Sequence, residues 1–68
     1  MLTAVSLGGC ASWRGARLYQ SGSRALQAGE VQVAVRDLEE AARLVPDASE
    51  VQNHLGLAYA AEGRDREA

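Results

Sequence analysis

VQVAVRDLEEAARLV, residues 31–45, carries the clearest helical period in the chain. Its apolar residues recur at the i, i+3, i+4 and i+7 spacing that places side chains on one face of a helix. They are Val31, Ala34, Val35, Leu38, Ala41, Ala42 and Val45. On the other face, Arg36–Glu40 and Glu39–Arg43 are spaced i,i+4, and each pair can contribute about 0.2–0.5 kcal/mol. The stretch predicts an amphipathic helix lying against a helical core.

Helix-ending residues on both sides of this stretch predict two further helices. Gly29 precedes it and Pro46 follows it, and these residue types close helices or disfavour the helical conformation of the residue before them. We expect helices over residues 16–28 and 48–62, the second capped by Asp47 and closed by Gly63, and the start of a fourth at residue 65. The predicted buried residues are Leu18, Gly22, Ala25 and Leu26 in the first helix, and Val51, Leu55, Ala58 and Tyr59 in the third.

Small residues recur at one fixed offset along the chain. Gly22 and Gly56, Gly29 and Gly63, and Ala34 and Ala68 are each 34 residues apart. A fixed period between 20 and 50 residues is typical of stacked supersecondary units, and 34 is the period of a helix–turn–helix repeat. The spacing therefore predicts an all-α fold built from helical hairpins.

The residues around these positions resemble the tetratricopeptide repeat. The matching segments are Leu18-x2-Ser21-Gly22-x2-Ala25, then Ala34-x3-Leu38-x2-Ala41-x4-Pro46, and then Gln52-x2-Leu55-Gly56-x2-Tyr59 with Ala68. Ser21, Ala25 and Gln52 stand where the family has larger apolar residues. The resemblance covers residues 15–68 and implies antiparallel helical hairpins of a right-handed solenoid, about one and a half repeats. Because solenoids usually need three or more repeats to be stable alone, we expect the chain to be an N-terminal fragment or a truncated product of a longer array.

The resemblance further implies which residues pack the repeat and which meet a partner. The residues expected to pack between helices are Leu18, Gly22, Ala34, Leu38, Ala41, Pro46, Leu55, Gly56, Tyr59 and Ala68. The concave groove, which in this family receives a protein or peptide, would be lined by Tyr19, Ser23, Leu26, Gln27, Asn53, Leu57 and Ala60. The alternative for these seven residues is ordinary exposed helix surface.

The first fourteen residues resemble a lipoprotein leader and linker. Leu7-Gly8-Gly9-Cys10 is similar to the bacterial lipobox, in which a leucine stands three residues before a cysteine that receives lipid. By that resemblance Cys10 is the lipidation site, and Ala11 after it favours the periplasmic side of the outer membrane. No basic residue precedes Arg14, although signal peptides normally open with one. The alternative is a cytoplasmic chain with a free thiol at Cys10.

Composition excludes several classes of function. Seven arginines against nine acids give a net charge of −2, and this balance does not predict binding to nucleic acid, which requires a strongly basic face. His54 is the only histidine and Cys10 the only cysteine, and neither has metal-ligand spacing to another candidate. We expect no enzyme, cofactor or metal site. The expected function is a protein-interaction scaffold in envelope assembly or secretion, with a soluble adaptor or a homodimerising helical fragment as alternatives.

Overall fold

A computed structural model of the chain describes residues 2–67, with the side chains of residues 11–64. Three helices follow one another: α1 over Leu2–Gln27, α2 over Val31–Leu44 and α3 over Ser49–Glu67. Within these residues there is no β-strand. The all-α prediction is therefore confirmed at the level of fold class.

The turn between α1 and α2 is fixed by Gly29. This residue has a φ of 81°, and no other described residue has a positive φ. The Glu30 amide donates to the Ala25 carbonyl at 2.8 Å, and the Gly29 amide donates to the Leu26 carbonyl at 3.2 Å. This is the Schellman arrangement, in which glycine closes a helix because it lacks a Cβ. The predicted helix end at Gly29 is confirmed.

α1 and α2 pack antiparallel through two glycines. A Cβ placed on Gly22 would lie 2.7 Å from Leu38 Cγ, and one placed on Gly15 would lie 3.0 Å from a Val45 methyl carbon. Gly15 meets Val45, just after the end of α2. Gly22, seven residues later in the chain than Gly15, meets Leu38, seven residues earlier than Val45, so the two helices run in opposite directions. Any larger residue at Gly22 would push the two helices apart, so it is the glycine at this position that allows their close approach.

The hydrophobic core lies on both sides of α2. Leu38, Ala34 and Ala41 are completely buried, and Leu38 is the largest fully buried side chain. The remaining buried apolar residues are Ala25, Val31, Val35, Val51, Leu55 and Ala58. The buried face predicted for α2 is confirmed. The buried apolar residues of α2 are spaced three or four apart, and this spacing places them toward α1 and α3. The direct contact between α1 and α3 is slight, so α2 is the central layer.

α1 is longer than the sequence predicts. It begins at Leu2, whereas the expected helix began at about residue 16. Residues 2–15 contain no proline, so the backbone can continue the helical hydrogen bonding through them. At 1.5 Å per residue α1 is about 39 Å long and α2 about 21 Å. Since Gly15 meets the residue just after α2, the preceding turns of α1 extend past the end of the hairpin.

α3 also continues beyond its predicted end. Gly63 keeps a helical conformation, and α3 runs to Glu67, so residues 65–67 are its last turn and not the start of a fourth helix. A glycine inside a helix costs only about 1 kcal/mol, which good helix formers such as Glu62 and Arg64 can offset. Ala68, assigned to repeat packing, lies outside the described residues.

The α2–α3 turn follows from Pro46. Val45 leaves the helical region with φ −132° and ψ 72°, as expected for a residue before proline. α3 begins at Ser49, so Asp47 lies one residue too early to occupy its N-cap position. The predicted stop at Pro46 is confirmed, and the predicted cap at Asp47 is wrong.

Candidate functional site

Tyr19 connects α1 to α3 on one side of the molecule. Its ring meets the His54 ring edge-on, with centroids 5.0 Å apart and an angle of 83° between the planes. The Tyr19 hydroxyl lies 3.5 Å from His54 Nδ1, which in turn lies 3.0 Å from the carbonyl oxygen of Glu50. Both rings are half-buried. This contact joins the two helices that the repeat resemblance assigns to the partner groove.

A small cavity opens beside Tyr19, between α1 and the α2–α3 turn. Its volume is about 240 Å³. It is lined by Ser12, Gly15, Ala16, Tyr19, Val45, Ala48, Glu50 and Val51. The lining is mainly apolar, and Glu50 is its only charged residue. Of the seven predicted groove residues, Tyr19 alone contributes to this cavity.

The other predicted groove residues are divided between the interior and the surface. Leu26 is half-buried against the core, and the Ser23 hydroxyl is buried with no hydrogen-bond partner among the described residues. Gln27, Asn53, Leu57 and Ala60 are exposed. Leu57, with 51% of its surface accessible, is one of the few large apolar side chains that the fold leaves uncovered. The structure does not gather all seven residues around one cavity.

The outer surface of α3 is open where the sequence predicts close packing. A Cβ placed on Gly56 would meet nothing within 4 Å, in contrast to Gly22. Tyr59, expected in the core, is 46% exposed, and its hydroxyl donates to Glu39 at 2.5 Å. The prediction that Tyr59 is buried in the third helix is therefore wrong. The sequence could not indicate this, because Tyr59 has an apolar ring that suits the core and a hydroxyl that suits the surface.

Hydrogen bonding on α2 differs from the predicted i,i+4 pairs. Glu39 accepts from Tyr59, and Arg43 pairs instead with Glu40, one turn before it. The Arg43 hydrogen bond lowers the pKa of Glu40 below its usual value, and Glu40 correspondingly raises the pKa of Arg43. The hydrogen bond to Glu39, followed by partial burial and the nearby negative charge, raises the pKa of Tyr59. Of these contacts, Arg43–Glu40 lies within α2, and the Tyr59–Glu39 hydrogen bond joins α2 to α3.

A buried carboxylate joins α1 to α2. Asp37 is only 9% exposed, and its Oδ2 accepts a hydrogen bond of 2.7 Å from the Ser21 hydroxyl. Arg36 Nε lies 3.7 Å from its other oxygen. Asp37 was not among the residues predicted to be buried or functional. Its i+3 spacing from Ala34 placed it beside the apolar stripe, and that position was the signal that could have identified it.

The outer face of α1 is basic and carries a tryptophan. Trp13 is 61% exposed, and the Arg17 guanidinium lies over its ring at 4.9 Å from the centroid. Arg17 and Arg24 also border a shallow groove of about 420 Å³ on this side of the molecule, with Glu30 at the same groove. Cys10 lies within α1, one turn before Trp13, and its side chain is outside those described.

The described residues contain neither a metal-binding cluster of three or more His, Cys, Asp or Glu residues nor a helix with the length and hydropathy needed to cross a bilayer. Comparison with known proteins gives no match: no protein-family model, no curated protein and no solved structure is significantly similar to this chain.

Proposed function

We propose that the chain is a protein-interaction module of the tetratricopeptide type that holds a protein or peptide partner. The observation that supports this most directly is the approach of Gly22 to Leu38 between antiparallel helices, at the positions where the repeat resemblance requires a small and a large residue. A right-handed solenoid is the architecture that such hairpins build by stacking. In this proposal α1 and α2 are one repeat and α3 opens the next.

The partner surface in this proposal is centred on Leu57. An exposed leucine between the polar Asn53 and the small Ala60 offers an apolar anchor with room for a ligand backbone. His54 stands one turn before Leu57 on α3 and contacts Tyr19 of α1, and both side chains can donate or accept hydrogen bonds. Such a mixture of one apolar anchor and adaptable polar groups suits a peptide or a helix of another protein.

Site-specific photo-crosslinking in the native cell tests this surface. We expect a photo-reactive amino acid at Asn53 to capture one protein of defined mass, and Leu57→Glu in the same chain to abolish the product. The same photo-reactive group at Gln32, exposed on α2, is the control and should capture nothing. Equal capture at both positions, or no effect of Leu57→Glu, would contradict the proposed partner surface.

We further propose that Cys10 carries lipid and holds the module on the periplasmic side of the bacterial outer membrane. The support is the sequence Leu7-Gly8-Gly9-Cys10. Several acyl chains on one cysteine hold a protein on a bilayer firmly, since each buried CH2 contributes about 0.8 kcal/mol. Intact mass of the protein from its native locus tests this. A species that begins at Cys10 with added acyl mass supports the anchor, and an unmodified chain retaining Met1 favours the soluble cytoplasmic adaptor.

A second candidate function is self-association through α3. The open space at Gly56 and the exposure of Tyr59 favour it, because a second copy could pack its helix where no described residue lies. Sedimentation equilibrium distinguishes this from partner binding. A mass that rises from monomer to dimer with concentration, and falls back in Gly56→Leu, supports the dimer. A monomer at all concentrations rejects it.

A further inference from the structure

Four residues form an exposed stripe along α1: Trp13, Arg17, Gln20 and Arg24. Their spacing is i, i+4, i+7 and i+11, which keeps them on one side of a helix. Gly15 and Gly22, which face the hairpin and are buried, lie on the opposite side of α1. The stripe therefore points away from the core, and Arg17, Gln20 and Arg24 border a groove that Val33 of α2 also lines.

Charge in this chain is divided between its two ends. Residues 1–29 contain three arginines and no acid, whereas residues 30–68 contain four arginines and nine acids. Two of the three N-terminal arginines, Arg17 and Arg24, belong to the α1 stripe, and the third, Arg14, is also exposed. The molecule thus presents a positive helix on one side and a negative body on the other, which favours one orientation at an anionic surface.

Trp13 gives the stripe an apolar end with interfacial character. An indole with 61% of its surface in water loses favourable apolar burial unless something covers it. Tryptophan is enriched at the boundary between bilayer and water, where its ring and its N–H find different surroundings. The Arg17 guanidinium lies over the indole ring, 4.9 Å from its centroid, so a positive charge accompanies the aromatic group.

The groove beside the stripe can accept an anionic headgroup. Arg17 and Arg24 are seven residues apart, about 10 Å along the helix, and both border the 420 Å³ groove together with Gln20 and Ser21. Arginine donates two parallel hydrogen bonds to a phosphate, and the amide of Gln20 adds further donors. Glu30 is the one acid at this groove, so two positive charges face one negative charge.

We propose that the α1 stripe lies directly on an anionic phospholipid surface, with Trp13 at the level of the headgroups and the acidic α2–α3 body turned outward. This contact is non-covalent and independent of lipid on Cys10. Where the proposed anchor is also present, the stripe fixes the orientation of the module and leaves Leu57, on α3, free for a partner. A basic helix face with an aromatic anchor is the combination that binds bilayer interfaces.

Vesicle binding of the full chain carrying Cys10→Ser tests the proposal, because this variant cannot be lipidated. Trp13 is the only tryptophan, so fluorescence emission reports on the stripe alone. We expect a blue shift with vesicles of phosphatidylcholine containing one quarter phosphatidylglycerol, none with pure phosphatidylcholine, and reversal on raising the salt concentration. Binding without a blue shift, or equal binding to neutral vesicles, would overturn the proposal.

A matched pair of double variants locates the contact. Arg17→Gln with Arg24→Gln should reduce partitioning into anionic vesicles roughly twenty-five-fold, at about fivefold per arginine. Arg36→Gln with Arg64→Gln changes net charge by the same amount at exposed positions outside α1, and should reduce it at most slightly. Equal losses in the two pairs would assign binding to net charge and overturn the proposal. The lipid anchor is tested separately by intact mass, so either proposal can fail alone.

Discussion

Gly22 and Leu38 are in such close packing that the space for a Cβ on Gly22 is already taken by the leucine side chain. The distance from that Cβ position to Leu38 Cγ is 2.7 Å, and Leu38 is completely buried. The obstructing atom is the branch point of the side chain, which cannot move without displacing the core. This contact determines how near α1 comes to α2.

Gly22→Ala should therefore lower the free energy of unfolding by about 1–3 kcal/mol, the usual cost of inserting a methyl group into a packed core. Gly56→Ala is the matched control, because the same change at an open helical position should raise it by about 0.5–1 kcal/mol. Urea unfolding followed by circular dichroism measures both. Stabilisation by Gly22→Ala would mean that the helices are not in close contact there, whereas destabilisation by Gly56→Ala would mean that another helix covers α3.

Leu38→Ala tests where the core lies. Removing the largest fully buried side chain should lower the free energy of unfolding by about 2–5 kcal/mol, since it loses burial and leaves a cavity. Leu57→Ala removes the same atoms from a half-exposed position on α3 and should change it by less than about 1 kcal/mol. The two variants are compared in the same urea titration. Similar losses in both would contradict the assignment of Leu38 to the core and Leu57 to the surface.

Ser21→Ala tests the link between α1 and α2 at Asp37. The alanine leaves a 9%-exposed carboxylate without its hydroxyl donor, so we expect a loss of about 1–2 kcal/mol in the free energy of unfolding. Ser12→Ala is the control for the change in helix propensity, because Ser12 is also an exposed serine of α1. A double-mutant cycle with Asp37→Asn measures the coupling. No difference between the two serine variants would show that the hydrogen bond contributes nothing measurable.

Tyr59 should titrate above the usual tyrosine pKa of about 10, because its proton is held by the hydrogen bond to Glu39. A folded-state pKa raised above the unfolded value stabilises the protein below the unfolded pKa, and this contribution is lost as pH rises through the folded pKa. NMR of ring-labelled tyrosine, with Tyr19→Phe for assignment, follows the midpoint. In Glu39→Gln the midpoint should fall toward the ordinary value. An unchanged midpoint in that variant would contradict the link.

The sequence predicted α2 well and the outer helices less completely, for a physical reason. α2 packs on both neighbours, so its apolar residues must follow the helical period closely and the pattern is unmistakable. α1 has a run of small apolar residues at its start, which is compatible with a leader segment and with a helix alike. α3 has glycine and alanine on its exposed side, so composition alone does not distinguish its two faces.

The candidate site was less accessible to prediction because its contacts join distant residues. Tyr19 and His54 are 35 positions apart, and Glu39 and Tyr59 are 20 apart. Local spacing instead favoured the Glu39–Arg43 pair, which the tertiary contact with Tyr59 replaces. The exposure of Leu57 could be expected from its position outside the buried stripe, whereas the side of α3 facing Glu39 depends on how α2 and α3 cross.

The central position of α2 has a consequence for how energy is distributed through the molecule. α1 and α3 meet directly over little more than the Tyr19–His54 pair, so nearly all their mutual influence passes through α2. Stability should then behave as a sum of nearest-neighbour terms, one for each adjacent pair of helices. Substitutions in the α1–α2 interface and in the α2–α3 interface should combine additively, and deviation from additivity should be confined to residues that touch both interfaces.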